Sequence, residues 1–116
     1  MNDIAIQPTL HYHLLLDPQE VPIAEQALRL LISDEAHQDE IRSLARAVIG
    51  KLESTSRSQS GTLEVALSGP EMKITHTAIR LLLNDTQHEQ ESERKLLWSI
   101  LEKLPDEHVM RAIELL

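Results

Sequence analysis

The stretch AIRLLLNDTQHEQE, residues 78–91, decides the fold, because much of it already occurs in ALRLLISDEAHQDE, residues 27–40. A shift of 51 positions aligns the two stretches. The identical positions are Ala27/Ala78, Arg29/Arg80, Leu30/Leu81, Leu31/Leu82, Asp34/Asp85, His37/His88 and Glu40/Glu91. The same shift aligns Glu20 with Glu71, and further along a shift of 52 aligns Lys51 with Lys103. Self-similarity at a fixed spacing predicts that the chain is an internal duplication of one structural unit.

The composition is that of one small domain. The chain has 116 residues, of which 41% are hydrophobic, with no Phe, one Tyr and one Trp, so we expect one core of aliphatic side chains. No apolar run approaches the ~20 residues of a membrane span. The opening MNDIAIQPTL lacks the basic and apolar regions of a secretory signal. Without Cys there is no disulfide or thiolate chemistry, and these features together predict a cytoplasmic protein.

The chain is acidic, with 19 acidic and 11 basic residues and a formal net charge of −8. This charge argues against binding nucleic acid, whose affinity depends on Lys and Arg neutralising phosphates. It also argues against docking on an anionic membrane. Two interpretations stay open: the charge keeps a Leu-rich protein soluble, which we favour, or it attracts a basic partner.

Two short segments alternate between apolar and polar residues, which predicts β-strands. They are LHYHLLL, residues 10–16, and TLEVALS, residues 62–68. Because two strands of this length are not stable alone, they are expected to pair with each other or with another chain.

A helix start follows each strand. The sequences Asp17-Pro18-Gln19-Glu20 and Ser68-Gly69-Pro70-Glu71 both fit a capping box, in which two side chains satisfy exposed backbone N–H groups. Pro22 would remove a backbone hydrogen bond from the first helix, so that helix is expected to begin later or to bend there. The first helix of each unit is predicted to run to about Ser33 or Asn84.

The first helices have unusually wide apolar faces, which predicts burial on more than one side. Their apolar residues are Ile23, Ala27, Leu28, Leu30, Leu31 and Ile32 in the first unit and Ile74, Ala78, Ile79, Leu81, Leu82 and Leu83 in the second. Apolar residues at helical spacing also predict a second helix in each unit.

The predicted fold class is therefore α+β and predominantly helical. It consists of two tandem strand-helix-helix repeats with paired short strands, at about residues 10–53 and 62–104, in a single domain. A Ser-rich linker at residues 54–61 is expected to be flexible. A C-terminal helix at residues 106–116 is expected to cover part of the core.

This order of elements, from about Leu10 to Leu104, resembles the ribbon-helix-helix family, in which two strand-helix-helix chains dimerise through a paired ribbon. The resemblance implies that the exposed side chains of the ribbon would read DNA. The corresponding positions here are His11, His13, Leu15, Thr62, Glu64 and Ala66. None of these is Lys or Arg, and Glu64 would repel phosphate. DNA binding is therefore the least favoured hypothesis.

A repeated D-x-x-H-x-x-E pattern is the candidate metal site. Its residues are Asp34, His37, Glu40, Asp85, His88 and Glu91. Carboxylate and imidazole groups together suit zinc, manganese or iron, and the two half-sites could form one ligand set. The simpler interpretation, which we favour, is that the acidic residues cap a helix and complement its dipole.

Three further residues are candidates for an interaction site. Arg29 and Arg80 lie within strongly apolar helices. The interpretation we favour is that each long side chain reaches the surface or pairs with a carboxylate of the other unit, and the alternative is that the two bind an anion. Trp98 breaks the similarity between the units. It is either an exposed anchor for a partner or, as its neighbours Leu96 and Leu97 favour, a core residue.

The sequence lacks the motifs of catalysis: there is no Cys nucleophile, Gly-rich phosphate loop or G-x-S-x-G. We therefore predict a small acidic non-enzymatic protein without a cofactor. It is expected to act through protein–protein contacts, with a protein partner or by self-association, possible homodimerisation included. The alternatives are a metal-binding domain that uses the repeated Asp/His/Glu set and a ribbon-helix-helix-like DNA-binding regulator.

Overall fold

The computed structural model describes residues 11–33, 38–87 and 89–104. Within these residues the protein is α+β and mostly helical, as predicted. It has four helices and one two-stranded sheet, whose strands are antiparallel. The elements in chain order are β1 (His11–Leu16), α1 (Glu20–Ser33), α2 (Asp39–Ser58), β2 (Leu63–Ser68), α3 (Gly69–Asp85) and α4 (Glu91–Lys103). The helix predicted at residues 106–116 lies outside the described residues.

The two strands form an antiparallel ribbon. Leu14 lies opposite Val65, and Leu16 lies opposite Leu63. The inward side chains are those that the alternation predicts: Leu14, Leu16, Leu63, Val65 and Leu67 are buried, and Tyr12 is partly buried. The ribbon packs this face onto the helices, which provide the burial that two strands lack on their own.

Helix α1 begins at Glu20, later than the first Pro of the segment. Pro22 therefore lies in the first turn, where backbone N–H groups have no partner within the helix. It costs the helix no hydrogen bond, which explains why the helix tolerates it. The predicted capping box is half formed, because the N–H of Asp17 donates to Glu20 Oε1 at 2.8 Å while the Asp17 side chain is directed elsewhere. Its Oδ1 accepts from Thr62 Oγ1 at 3.4 Å.

Helix α3 has the complete capping box. Ser68 Oγ accepts from the N–H of Glu71 at 3.2 Å, and Glu71 Oε1 accepts from the N–H of Ser68 at 2.9 Å. Pro70 lies in the first turn, where a missing N–H is harmless. The sequence prediction for this helix start is confirmed.

The predicted Ser-rich linker is shorter than expected. Helix α2 continues to Ser58, so most of residues 54–61 are helical. Ser58 Oγ donates to the carbonyls of Ser54 and Thr55 at 3.3 Å, and Arg57 lies in the last turn, where a cation complements the helix dipole. The Ser-rich composition predicted a flexible linker because composition does not show these hydroxyl contacts. The chain then turns through Gly61, whose φ of 76° suits glycine.

Helices α1 and α3 are central to the packing. They contact each other, and each of them also contacts both α2 and α4. The core between them is aliphatic, as the composition predicts. Two leucines that were expected inside are not: Leu30 and Leu81 are both 38% exposed. Each precedes a buried leucine, and successive residues of a helix point about 100° apart. No helix among the described residues is long and apolar enough to span a bilayer.

Candidate interaction surface

The structure describes three of the six residues of the predicted metal set. Asp34, His37 and His88 lie outside the described residues. Glu40 is exposed in the first turn of α2, Asp85 is exposed at the end of α3, and Glu91 is exposed at the start of α4. Among residues 11–33, 38–87 and 89–104, no group of three or more His, Cys, Asp or Glu side chains could hold a metal ion. The metal hypothesis therefore stays a prediction.

The side chain of Arg29 is exposed on α1, as its surface interpretation predicts. Its two carboxylate partners, Glu25 at 3.4 Å and Glu53 at 3.3 Å, both lie in residues 10–53 and not in the other unit. Both are exposed or partly exposed ion pairs of a kind that contributes little to stability. Arg29 therefore ties α1 to α2 at the surface.

Trp98 is not the core residue that its neighbours Leu96 and Leu97 favoured. It is 53% exposed on α4, whereas Leu97 is fully buried. The preference for the core was wrong because adjacent helical residues point in different directions, so a buried neighbour does not bury the next residue. A half-exposed Trp is the largest apolar side chain that the described surface offers to a partner.

Trp98 borders an open depression between α4 and the end of α3, with a volume of about 470 Å³. We call this depression the Trp98 groove. Its lining includes Arg80, Asn84, Asp85, Thr86, Arg94 and Trp98. One predicted interaction residue, Arg80, therefore lies in the same depression as another, Trp98, although 18 positions separate them in the chain.

Arg94 joins α4 to the end of α3 at one wall of the groove. Its Nη1 donates to the carbonyl oxygens of Leu83 at 3.2 Å and Thr86 at 3.0 Å, which lie at the end of α3. A cation here satisfies terminal carbonyls and complements the negative end of the helix dipole. Thr86 also donates from Oγ1 to the carbonyl of Leu82 at 2.7 Å. Arg94 was not singled out from the sequence, although the shift of 52 matches it with Arg42.

A second depression of about 260 Å³ adjoins the groove. Arg80 and Asn84 line both, and the second also contains His76, Thr77 and Leu81. Together the two depressions form one continuous area, which we call the Trp98 surface. Its two exposed apolar side chains are Trp98 and Leu81, with Arg80 between the two depressions.

Elsewhere, a buried carboxylate joins the two halves of the chain. Glu20 is 1% exposed and accepts hydrogen bonds from Lys103 Nζ and, at 2.6 Å, from Ser99 Oγ. Burial raises the pKa of Glu20. This effect is outweighed by hydrogen bonds to the carboxylate and by the nearby positive charge, which hold the pKa of Glu20 below its usual 4.5. The hydrogen bonds come from Lys103, Ser99 and the Asp17 N–H, and the charge is that of Lys103. Glu20 is therefore ionised and paired at neutral pH.

Glu71 repeats this arrangement at the start of α3. Its Oε1 accepts from Lys51 Nζ at 2.6 Å, and Lys51 also donates to the carbonyl of Ala66 at 3.2 Å. Burial again raises the pKa of Glu71. The hydrogen bonds from Lys51 and Ser68 lower this pKa by more than burial raises it, so the pKa of Glu71 also lies below 4.5. The signal in the sequence was the repeated match of Glu20 with Glu71 and of Lys51 with Lys103.

The outer face of the ribbon carries His13, Leu15, Glu64 and Ala66, all exposed as the alternation predicts. His13 Nδ1 lies 3.0 Å from Glu64 Oε2. Among the described residues this face has a carboxylate and no Lys or Arg, which is unlike a phosphate-binding surface. The side chain of His11 lies outside the described residues.

Comparison of the chain with protein-family models, curated proteins and solved structures found no match.

Proposed function

We propose that this protein is a small non-enzymatic module that acts through protein–protein contact at the Trp98 surface. The observation that carries the proposal is the half-exposed Trp98 beside a groove whose lining includes two arginines. Tryptophan and arginine are the residues most often responsible for binding energy at protein interfaces. A tryptophan that stays exposed gains hydrophobic contact only when a partner covers it.

The neighbouring residues support the same interpretation. Leu81 adds a second exposed apolar side chain, and Arg80 and Asn84 place polar groups around it. An apolar centre with a polar rim is the usual composition of an interface. Because Arg94 holds the end of α3 through two carbonyls, one wall of the groove is formed before a partner arrives.

We further propose that the domain is a pseudo-symmetric duplication of one strand-helix-helix unit. The register of the ribbon supports it, because Leu14 and Val65 face each other and are also matched by the shift of 51. A twofold axis through this pair maps each strand onto the other.

The buried ion pairs support the duplication independently. Lys103 of the second unit pairs with Glu20 of the first, and Lys51 of the first unit pairs with Glu71 of the second. The units thus exchange equivalent contacts, as the two subunits of a twofold-symmetric dimer do.

The Trp98 surface is where the units differ. The shift of 52 that matches Lys51 with Lys103 places Arg46 at the position equivalent to Trp98, and Arg46 is exposed on α2. Leu30 and Leu81, by contrast, are equivalent and equally exposed. Only the second unit therefore combines an exposed leucine with an exposed tryptophan, which favours this unit as the binding half.

The test is retention of a partner by tagged protein incubated with lysate of the source cells. We expect one protein to be retained in stoichiometric amount, and Trp98→Ala to reduce its retention by about tenfold or more. Leu81→Ala should also reduce it. Leu30→Ala is the matched control, since Leu30 has the same exposure and lies outside the Trp98 surface. Equal loss with Leu30→Ala, or no effect of Trp98→Ala, would contradict the proposal.

A further inference from the structure

Polar contacts attach helix α4 to its neighbours near both of its ends. Close to its start, Arg94 binds two carbonyl oxygens at the end of α3, the helix that precedes α4 in the chain. Towards its end, Ser99 and Lys103 bind the carboxylate of Glu20, which belongs to α1. The first attachment is local in the chain, whereas the second spans 79 and 83 positions.

The carboxylate of Glu20 has one oxygen for each of these two partners. Oε2 accepts from Ser99 Oγ at 2.6 Å, and Oε1 accepts from Lys103 Nζ. Because Ser99 and Lys103 are four positions apart, their side chains lie on the same face of α4. Glu20 Oε1 also accepts from the N–H of Asp17 at 2.8 Å, and Lys103 Nζ lies 3.9 Å from Asp17 Oδ2. One buried carboxylate therefore holds the start of α1 and one face of α4 together.

Helix α4 depends on this carboxylate more than α2, its counterpart in the other half, depends on Glu71. It has 13 residues and two buried side chains, whereas α2 has 20 residues and four buried side chains. A helix as short as α4 is marginal without its packing. The shift of 52 also matches Ser99 with Ala47, which has no hydroxyl to donate. The other described elements contact one another without α4, since α1 contacts α2 and α3, and α2 contacts β2 and α3.

We infer that Glu20, Ser99 and Lys103 form a latch that closes α4 against α1, and that α4 opens as a unit when the latch is broken. The sheet and helices α1 to α3 stay folded in the open state. This inference goes beyond the proposed function and does not depend on it.

Opening of α4 changes the Trp98 groove, because α3 and α4 both contribute to its lining. Arg94 and Trp98 are the lining residues that belong to α4, and they move with it. The groove keeps its shape only while α4 is closed. The latch, whose Glu20 lies on a third helix outside the groove, therefore controls the shape of the groove from a distance.

The inference is tested by hydrogen–deuterium exchange of the purified full chain, read separately for each helix. We expect the amides of α4 to exchange about tenfold or more faster than those of α2, relative to their intrinsic rates. Ser99→Ala removes one hydrogen bond to a buried charge. It should speed exchange in α4 by about a further tenfold and change exchange in α2 by less than about twofold.

Glu20→Gln removes the charge itself and should speed exchange in α4 by more than Ser99→Ala does. Ser99→Ala retains the pair of Glu20 with Lys103, so it tests the latch even where Glu20→Gln does not fold. The matched control is Glu71→Gln. Glu71 accepts from Lys51 and Ser68, neither of which belongs to α4, so the ratio of exchange in α4 to exchange in α2 should not rise.

The fluorescence of Trp98 is a second measurement of the same opening. Trp98 lies on α4 and is the only tryptophan of the chain, so its emission reports on this helix. In Glu20→Gln its emission should shift to longer wavelength at a lower urea concentration than the loss of helix measured by far-ultraviolet circular dichroism. In Glu71→Gln the two transitions should lie closer together.

Three results would overturn the inference. The first is an equal rise of exchange in α2 and α4 of Ser99→Ala, which would mean that the site contributes to global stability alone. The second is unchanged exchange in α4 of both latch variants. The third is coincidence of the fluorescence and circular dichroism transitions in Glu20→Gln.

Discussion

Glu20 in the first half of the chain lies in the first turn of α1, and Glu71 in the second half lies in the first turn of α3. Each accepts a hydrogen bond from a lysine of the opposite half. The shift of 52 matches Trp98 of α4 with Arg46 of α2, and both side chains are exposed. Under the proposed duplication, the halves share the residues that pair them with each other and differ at this exposed position. The difference at Trp98 is where we look for function.

The two carboxylates are not buried to the same extent. Glu20 is 1% exposed and Glu71 is 7% exposed. Glu20 also accepts from Ser99 Oγ, whereas the Glu71 pair includes the complete capping box with Ser68. Because a buried charge depends more heavily on its partners than a partly solvated one, the first half is expected to be the more sensitive to loss of its lysine.

The largest expected effect comes from Lys103→Met, which leaves Glu20 buried without its cation. We expect the free energy of unfolding to fall by about 3 kcal/mol, and by about 2 kcal/mol for Lys51→Met, whose carboxylate is less deeply buried. Urea unfolding followed by circular dichroism measures both. The control is Lys95→Met, a change of an exposed lysine of α4, expected to stay within about 0.5 kcal/mol. Equal losses at the two sites would mean that the difference in burial has no energetic consequence.

Acid should weaken both sites. Because the pKa values of Glu20 and Glu71 lie below 4.5 in the folded protein, folding favours their ionised forms. Their contribution is complete well above pH 4.5. It is lost as the pH falls through the folded-state pKa values, because the unfolded chain binds protons first. Each carboxylate contributes a slope of at most about 1.4 kcal/mol per pH unit.

The measurement is the urea midpoint at a series of pH values on both sides of 4.5. Glu20→Gln is expected to be less stable at neutral pH but to lose less stability in acid than the unchanged protein. Glu102→Gln, at an exposed position of α4, controls for the loss of one carboxylate. An acid slope that Glu20→Gln does not reduce would show that other groups dominate the acid response.

Much of the fold could be predicted because the sequence patterns and the packing agree. The alternation in LEVALS predicts the inward Leu63, Val65 and Leu67, and the capping box of Ser68 and Glu71 forms as expected. The extent of α2 could not be predicted from composition. Its last turn is stabilised by Ser58 hydroxyl contacts with helix carbonyls, which a Ser-rich sequence does not distinguish from a flexible linker.

The candidate site could be predicted only in part. The repeat identified Arg80, and the broken similarity identified Trp98, but neither pattern shows that they share one groove. That proximity depends on how α3 packs against α4. Arg94 was missed for the same reason, since its role is to bind carbonyls that lie 8 and 11 positions away. Exposure of Leu81 follows from the rotation of a packed helix and not from its hydropathy.

A smaller difference between the halves is expected at the helix starts. Ser68→Ala removes a side-chain cap and should lower the free energy of unfolding by about 1 kcal/mol. Asp17→Ala should cost less, at about 0.5 kcal/mol, since the Asp17 side chain accepts a long 3.4 Å hydrogen bond from Thr62 and lies 3.9 Å from Lys103 Nζ in a partly exposed ion pair. Thermal or urea unfolding measures both. A larger loss of unfolding free energy for Asp17→Ala than for Ser68→Ala would contradict the expectation that the side-chain cap of α3 contributes more than the Asp17 side chain does at α1.

The smallest expected effect on stability is that of truncating the two exposed leucines, Leu30 and Leu81. Leu30 and Leu81 are equivalent in the two halves and equally exposed, so Leu30→Ala and Leu81→Ala should each change the free energy of unfolding by less than about 1 kcal/mol and by similar amounts. Their effects on association should differ, because only Leu81 adjoins the groove of Trp98. Urea unfolding and sedimentation on the same two variants measure both quantities. Equal stability with unequal association would assign binding to the second half, whereas equal association would mean that the difference between Trp98 and Arg46 does not determine where partners bind.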